Sequence, residues 1–223
     1  MESGPRIVPA SADSCVAPPL LQSATRVIRI LRDAGYTAYF AGGFARDILL
    51  KRSVHDIDIA TDATPNAVQA LFPDHRAIGK SFGVIQVEID TYMFEVATFR
   101  QDADYADGRH PGSVTFTSAP EDAQRRDFTV NGMFFDPAQE QVIDYVGGLA
   151  DLDARCIRAI GDPAQRFRED YLRMMRAVRF AAVLDFDIDQ RTFAAIRELA
   201  PMLSRISPER IRIEMIRAFM EAP

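Results

Sequence analysis

Asp56 and Asp58 stand two residues apart between apolar neighbours in the run His55-Asp56-Ile57-Asp58-Ile59. In an extended strand a two-residue step returns to the same face, so both carboxylates leave one side. Their Cα atoms then lie roughly 6.5 Å apart, close enough to share a hard cation. Upstream, Gly42-Gly43 leads into Phe44-Ala45-Arg46-Asp47. Glycine lets a backbone approach a phosphate closely, and the amides opening a helix favour anions. A phosphate cradle followed by paired carboxylates fits metal-dependent phosphoryl or nucleotidyl transfer. The plain alternative is a strand end with solvated carboxylates. Glu95, in the β-rich run 92–99, is either a third carboxylate or a surface strand residue with an ion-pair partner.

Two further clusters carry charge in a pattern. In Arg125-Arg126-Asp127-Phe128-Thr129-Val130-Asn131, adjacent arginines on a helix point about 100° apart. One can clamp a triphosphate while the other holds the fold, and Asp127 can accept hydrogen bonds from ribose hydroxyls. A self-paired helix end explains the same residues. In the run 169–180, Asp170, Arg173 and Arg176 span about 120° of one helix face, and Arg179 drifts to the far side. Asp170 and Arg173 are neighbours able to act together, or members of an ordinary surface salt-bridge face.

The elements that must position these groups follow from periodicity. Residues 1–19 are rich in Pro, Ser and Ala and predict a disordered tail over 1–20. A helix ending at Gly35 comes next, then a strand over 36–41, a helix over 44–50 and a strand over 54–60. Thr64-Pro65 opens a short helix. Runs 83–90 and 92–99 form a hairpin about Asp90-Thr91. Residues 100–111 are polar and predict a mobile loop, 114–116 a strand, 121–130 a helix and 141–145 a strand. From there the pattern is helical: 163–184, 190–199 and 208–220. The change at about residue 150 marks a domain boundary, with a mixed α/β part over 21–150 and a helical part over 151–223. The last helix is still amphipathic where the sequence stops, which predicts truncation before further helical regions.

Composition narrows the classes. A hydrophobic share of 48% supports a packed core, and no apolar run nears the roughly 20 residues that span a bilayer. The N-terminus lacks a basic region followed by an apolar core, so no signal peptide is expected. Cys15 and Cys156 are too few for a disulfide framework or zinc site, which fits a reducing cytoplasm. A net charge of −6 argues against a generally basic nucleic-acid binder but allows a local arginine cleft. The oligomeric state is left open.

The stretches GGFARD with HDIDIAT, RRDFTVNGM and EDYLRMMRAVRF, in this order, resemble the class II tRNA nucleotidyltransferase and bacterial poly(A) polymerase family. VIDYVGGLADL and SPERIRIEM add to the resemblance, which runs from about residue 24 to the end. It implies an α+β fold: a polymerase-β-type head with a small mixed sheet, followed by an all-helical neck. It implies that Asp56 and Asp58 bind magnesium, that Gly43 and Arg46 contact the nucleotide beside Gly42, and that Arg126 and Asp127 do so from the second motif. Asp170, Arg173, Arg176 and Arg179 match the neck motif that reads the base and phosphates without a nucleic-acid template. The implied activity is addition of C and/or A from CTP and ATP to the tRNA 3′ end. The alternatives are a poly(A) polymerase or a non-catalytic nucleotide- or RNA-binding module. Tyr105, Arg109, Pro111, Val114 and Phe116 stand at recognisable places in the flexible loop, which favours CCA or terminal A addition over CC addition. Gly132 stands where Ala is usual, and the resemblance implies body and tail regions that are not expected within these 223 residues.

Overall fold

The computed structural model of the protein describes residues 4–77, 83–103 and 113–222. Tyr105, Arg109 and Pro111 lie outside them. The chain divides into two compact units. The first comprises Met1–Gln101, Val114–Arg125 and Asn131–Val146, and the second Asp102–Ser113, Arg126–Val130 and Gly147–Pro223. No helix of the described residues is long and apolar enough to cross a membrane.

In the first unit, strands β1 (Arg6–Pro9), β2 (Ala38–Ala41), β3 (Asp58–Thr61), β4 (His75–Arg76), β5 (Val84–Ile89) and β6 (Tyr92–Thr98) belong to one mixed sheet. A two-stranded sheet of its own follows, β7 (Arg100–Ala103) with β8 (Ser113–Phe116). Strands β9 (Phe134–Asp136) and β10 (Gln141–Asp144) return to the main sheet, whose order is β1-β10-β9-β2-β3-β6-β5-β4. Most neighbours are antiparallel, but β3 and β6 run parallel with Ile59 opposite Val96. Helices α1 (Pro18–Asp33), α2 (Phe44–Leu49), α3 (Pro65–Leu71) and α4 (Ala119–Gln124) complete the unit. Phe40, Phe44 and Phe135 pack together, with Phe40–Phe44 ring centroids 4.9 Å apart. Phe99, Phe134, Tyr39 and Tyr145 form a second aromatic group. The hairpin turn falls at Asp90-Thr91, both at positive φ (51° and 71°), as a tight primed turn requires. Thr64 caps α3 by accepting the Ala67 amide at 3.3 Å.

The tail expected over residues 1–20 is not a tail in the described part. Arg6–Pro9 pairs with β10, and Ala12, Cys15 and Val16 are buried. The apolar pairs Ile7-Val8 and Cys15-Val16 are too short to show in a composition that Pro, Ser and Ala dominate. Residues 100–103 are likewise strand rather than loop.

The second unit contains helices α5 (Gly148–Asp153), α6 (Pro163–Glu169), α7 (Leu172–Leu184), α8 (Gln190–Leu199) and α9 (Pro208–Glu221). It is not wholly helical: β11 (Cys156–Ile157) and β12 (Asp187–Ile188) form a short parallel pair. The helix expected over 163–184 is broken. Asp170 is extended (φ −151°, ψ 107°), and its Oδ1 accepts the Leu172 amide at 3.0 Å. A short carboxylate competes with backbone carbonyls for nearby amides, so it stops one helix and starts the next. The helix expected over 121–130 ends at Gln124, and a 3-10 turn occupies Thr129–Asn131. Residues 126–130 group with the second unit, where Phe128 bridges Ala159 and packs edge-on against Phe180.

Candidate active site

In the first unit, β2 ends at Ala41, the chain turns through Gly42-Gly43, and α2 begins. Strand β3 returns alongside with Asp58 opposite Ala41. Gly42 has φ +67°, and a Cβ there would stand 2.9 Å from Asp58 Oδ2. At Gly43 a Cβ would stand 2.7 Å from Arg46 Nη2 and 3.3 Å from Asp47 Oδ2. The two glycines therefore make room for the motif's own charged side chains, a need the sequence did not reveal.

Strand β3 starts at Asp58, so Asp56 lies in the irregular stretch before it rather than on the strand. The alternation survives this correction: Asp56 and Asp58 are exposed, while Ile57 and Ile59 are 4% and 0% exposed. Burial of the isoleucines holds both carboxylates toward solvent. Glu95 precedes Val96 on β6 as Asp58 precedes Ile59 on β3, but it is exposed and accepts from Gln86 Nε2 at 3.4 Å. Among the described residues no three of His, Cys, Asp and Glu converge on a metal position. The candidate donors are the two carboxylates of Asp56 and Asp58. Magnesium is suited by this, since it takes one or two carboxylates and completes its shell with water and substrate phosphates. Because Gly42 has no Cβ, the Asp58 carboxylate sits directly against the turn.

Arg46 is 9% exposed. Its Nε and Nη2 donate to the two oxygens of Asp47 at 2.9 and 2.8 Å, and its Nη1 donates to Asn131 Oδ1 at 2.5 Å. This guanidinium braces the turn from within. We expect Gly42→Ala to cost about 1–2 kcal/mol, the strain of a left-handed L-residue. It should lower catalysis by more than that stability loss explains, because the added carbon displaces Asp58 Oδ2; a melt beside a rate measurement checks this.

In the second unit the remaining candidates are arranged in ion pairs. Asp127 Oδ2 accepts from Arg176 Nε and Nη2 at 2.8 and 2.6 Å, and its Oδ1 accepts the Phe128 amide at 2.8 Å. Burial works to raise the Asp127 pKa, but the Arg176 charge and these hydrogen bonds prevail and hold it below its ordinary 3.8. Arg176, in turn, is pushed further up by Asp127. Thr129 donates to Asp151 Oδ2 at 2.6 Å, and Arg158 bridges Asp151 and Asp189. Arg126 lies half-buried in the bend after α4.

Asp170 Oδ2 accepts from Arg210 Nη2 on α9 at 2.8 Å. Arg173 Nη1 donates to Glu169 Oε2 and to the Arg166 carbonyl. Arg179, 6% exposed, pairs with Glu214 at 2.7 Å and Glu221 at 3.3 Å and stacks 4.2 Å from the Phe180 ring. It is built into the α7–α9 contact. Sequence reasoning gave Glu169, Asp151, Asn131, Arg210 and Glu214 no role of their own, although the quoted stretches contain them. Arg210 and Glu214 recur at i,i+4 in the SPERIRIEM stretch, the one signal that marks them as a helix face.

A depressed carboxylate stabilises the fold above its ordinary pKa, and the contribution fades as pH falls through the folded value. Asp127→Asn should therefore cost about 2 kcal/mol at neutral pH, where Arg176 loses its two charge-assisted hydrogen bonds and keeps the longer contact with Glu214 at 3.7 Å. The difference from the parent should shrink below pH 3.8, as urea melts at several pH values would show.

Comparison with known proteins places these residues in context. The family described as the Poly A polymerase head domain matches residues 38–158, and that described as the probable RNA and SrmB-binding site of polymerase A matches 185–222. The CCA-adding enzyme of Enterococcus faecalis is 44% identical over 200 residues, 89% of this chain and 49% of its own length. That of a Geobacillus strain is 47% identical over 194 residues, 86% of this chain and 48% of its own. The crystal structure of the Bacillus stearothermophilus CCA-adding enzyme in complex with CTP superposes with a TM-score of 0.82 at 43% identity, over 91% of this chain and 49% of that one. The chain spans about half the length of the curated relatives it matches.

Proposed function

Because the chain belongs to the poly A polymerase head-domain family, we propose that it is a magnesium-dependent, template-independent nucleotidyltransferase acting on tRNA 3′ ends. It adds C and A, or A alone, from ATP and CTP. The observation that carries this is the exposed Asp56/Asp58 pair against the Cβ-free turn at Gly42, in a chain 44% identical to a CCA-adding enzyme over 89% of its length.

Asp56 and Asp58 hold the cation through carboxylate oxygens. Magnesium, when bound, supplies charge neutralisation of the triphosphate and activation of the RNA 3′-hydroxyl. Gly42 and Gly43 let the backbone pass close to the phosphates, and Arg46 keeps that turn in shape. Arg126 takes up phosphate charge, and Asp127, oriented by Arg176, accepts from the ribose hydroxyls. Asp170 accepts from the exocyclic amine of cytosine or adenine while Arg173 donates to the adjacent ring nitrogen. Arg179 supports the helix that carries Arg173 and Arg176. We read the enzyme as cytoplasmic, a reading that the proposed work on tRNA supports and with which the free thiols of Cys15 and Cys156 agree.

Incubation of a tRNA lacking its 3′ end with each labelled nucleotide tests the proposal. A defined stop after CCA, or after A on a CC-ended substrate, supports it. An open-ended A tail makes the protein a poly(A) polymerase, and no incorporation with magnesium present leaves a non-catalytic binding module.

A further inference from the structure

The stretch that carries Asp56 leaves α2 through Lys51 (φ 55°) and joins β3 only at Asp58. A loop of this kind is set by whatever anchors it between its ends. Near α2 the Arg52 amide donates to the Asp47 carbonyl at 2.9 Å. Two residues later the anchor comes from the N-terminal segment. The Val54 amide donates to the Cys15 carbonyl at 2.8 Å, and Val16 and Val54 make a parallel bridge. Both valines are buried, at 4% and 6% exposure.

The segment is itself fixed independently of the loop. The Cys15 and Val16 amides both donate to the Ala12 carbonyl, at 3.0 and 3.2 Å, closing a turn. The Ala10 amide donates to Glu140, and Arg6–Pro9 pairs with β10. On the other side α1 starts at Pro18 and buries Leu20, Ala24, Val27, Ile28 and Leu31. The turn at Ala12–Val16 is thus held from both sides and presents one backbone acceptor to the loop, two residues before Asp56.

We propose that residues 10–17 are a positioning element for the metal-binding carboxylates. The Cys15 carbonyl and the backbone bridge from Val16 fix Val54, and through it the direction in which Asp56 leaves the chain. This rests on the assignment of Asp56 and Asp58 as cation ligands. A carboxylate pair binds one ion well only if both oxygens are already aimed, so freeing Val54 costs cation affinity before it costs the fold.

The test is the dissociation constant of Mn2+, followed by electron paramagnetic resonance of the free ion without nucleotide, whose phosphates would bind the ion themselves, alongside the thermal melt. Deleting residues 1–16, or replacing Val16→Asp to expel the segment, is expected to weaken Mn2+ binding about tenfold. Measurement well below each variant's Tm separates this from unfolding. Deleting residues 1–9 removes the β1 pairing but keeps the turn, so it should lower Tm and leave Mn2+ affinity unchanged. Val16→Ile should preserve the affinity. Unchanged Mn2+ affinity in folded Val16→Asp overturns the inference, provided Asp56→Ala loses the ion. If Asp56→Ala keeps the ion, the ligand assignment has failed instead. Should the long deletion not fold, Val16→Asp and Val16→Ile decide the matter by themselves.

Discussion

If the proposed activity holds, Asp58→Asn is expected to lower nucleotide incorporation into a tRNA without its 3′ end by about a thousandfold, with little change in thermal stability. The substitution keeps the side chain's shape and removes one negative charge. Asp58 is exposed and opens β3 opposite Ala41, and asparagine keeps one side-chain oxygen in place. Exposed substitutions of this kind stay within about 0.5 kcal/mol. Metal-assisted charge stabilisation is worth several kcal/mol, and each ~1.4 kcal/mol is tenfold in rate. The two scales are far enough apart for a melt and an incorporation assay to separate them. A variant that retains its rate at low magnesium would remove Asp58 from the metal site.

Reversing the polarity of Asp170 and Arg173 should change which bases enter. Cytosine and adenine present an amine donor beside a ring-nitrogen acceptor, whereas uracil and guanine present an oxygen acceptor beside a ring N–H. A site built for one pattern rejects the other by about 10⁴ when its polar groups are left unpaired. The tertiary structure adds a condition. Asp170 Oδ2 is paired with Arg210, so an arginine at position 170 alone would face a second guanidinium. The informative variant combines Asp170→Arg and Arg173→Asp with Arg210→Met. It should incorporate UMP or GMP and lose at least a hundredfold of its preference for CTP and ATP. Unchanged preference would remove the pair from base selection.

The part of this protein that sequence determines is the part governed by local rules. Alternation of apolar and charged residues about Ile57 and Ile59 told which side chains face out, and the structure keeps that pattern although Asp56 is off the strand. The Asp90-Thr91 hairpin, the Thr64 cap and the α8 helix follow from turn, cap and helix preferences within a few residues. The motif stretches contain Arg46, Asp56, Asp58, Arg126, Asp127, Asp170, Arg173, Arg176 and Arg179, whereas Glu95 came from strand patterning alone.

What local rules cannot supply is the partner of each charge. Arg46 reads as a nucleotide contact in sequence, yet its donors go to Asp47 and to Asn131, 85 residues away. The family resemblance groups Arg179 with the base-reading residues although helix periodicity turns it away, and α9 brings Glu214 and Glu221 to it and buries it. Asp170 reads as a helical residue, yet its carboxylate ends one helix and begins another because a nearby amide competes for it. The same limit explains residues 4–19: a strand of Arg6–Pro9 has no stability alone and exists because β10 offers an edge. Sequence alone therefore determined which groups could do the chemistry and which way they face along the chain. Only the tertiary structure decided which of them are spent on one another, because an ion pair or a strand pairing depends on distance in space.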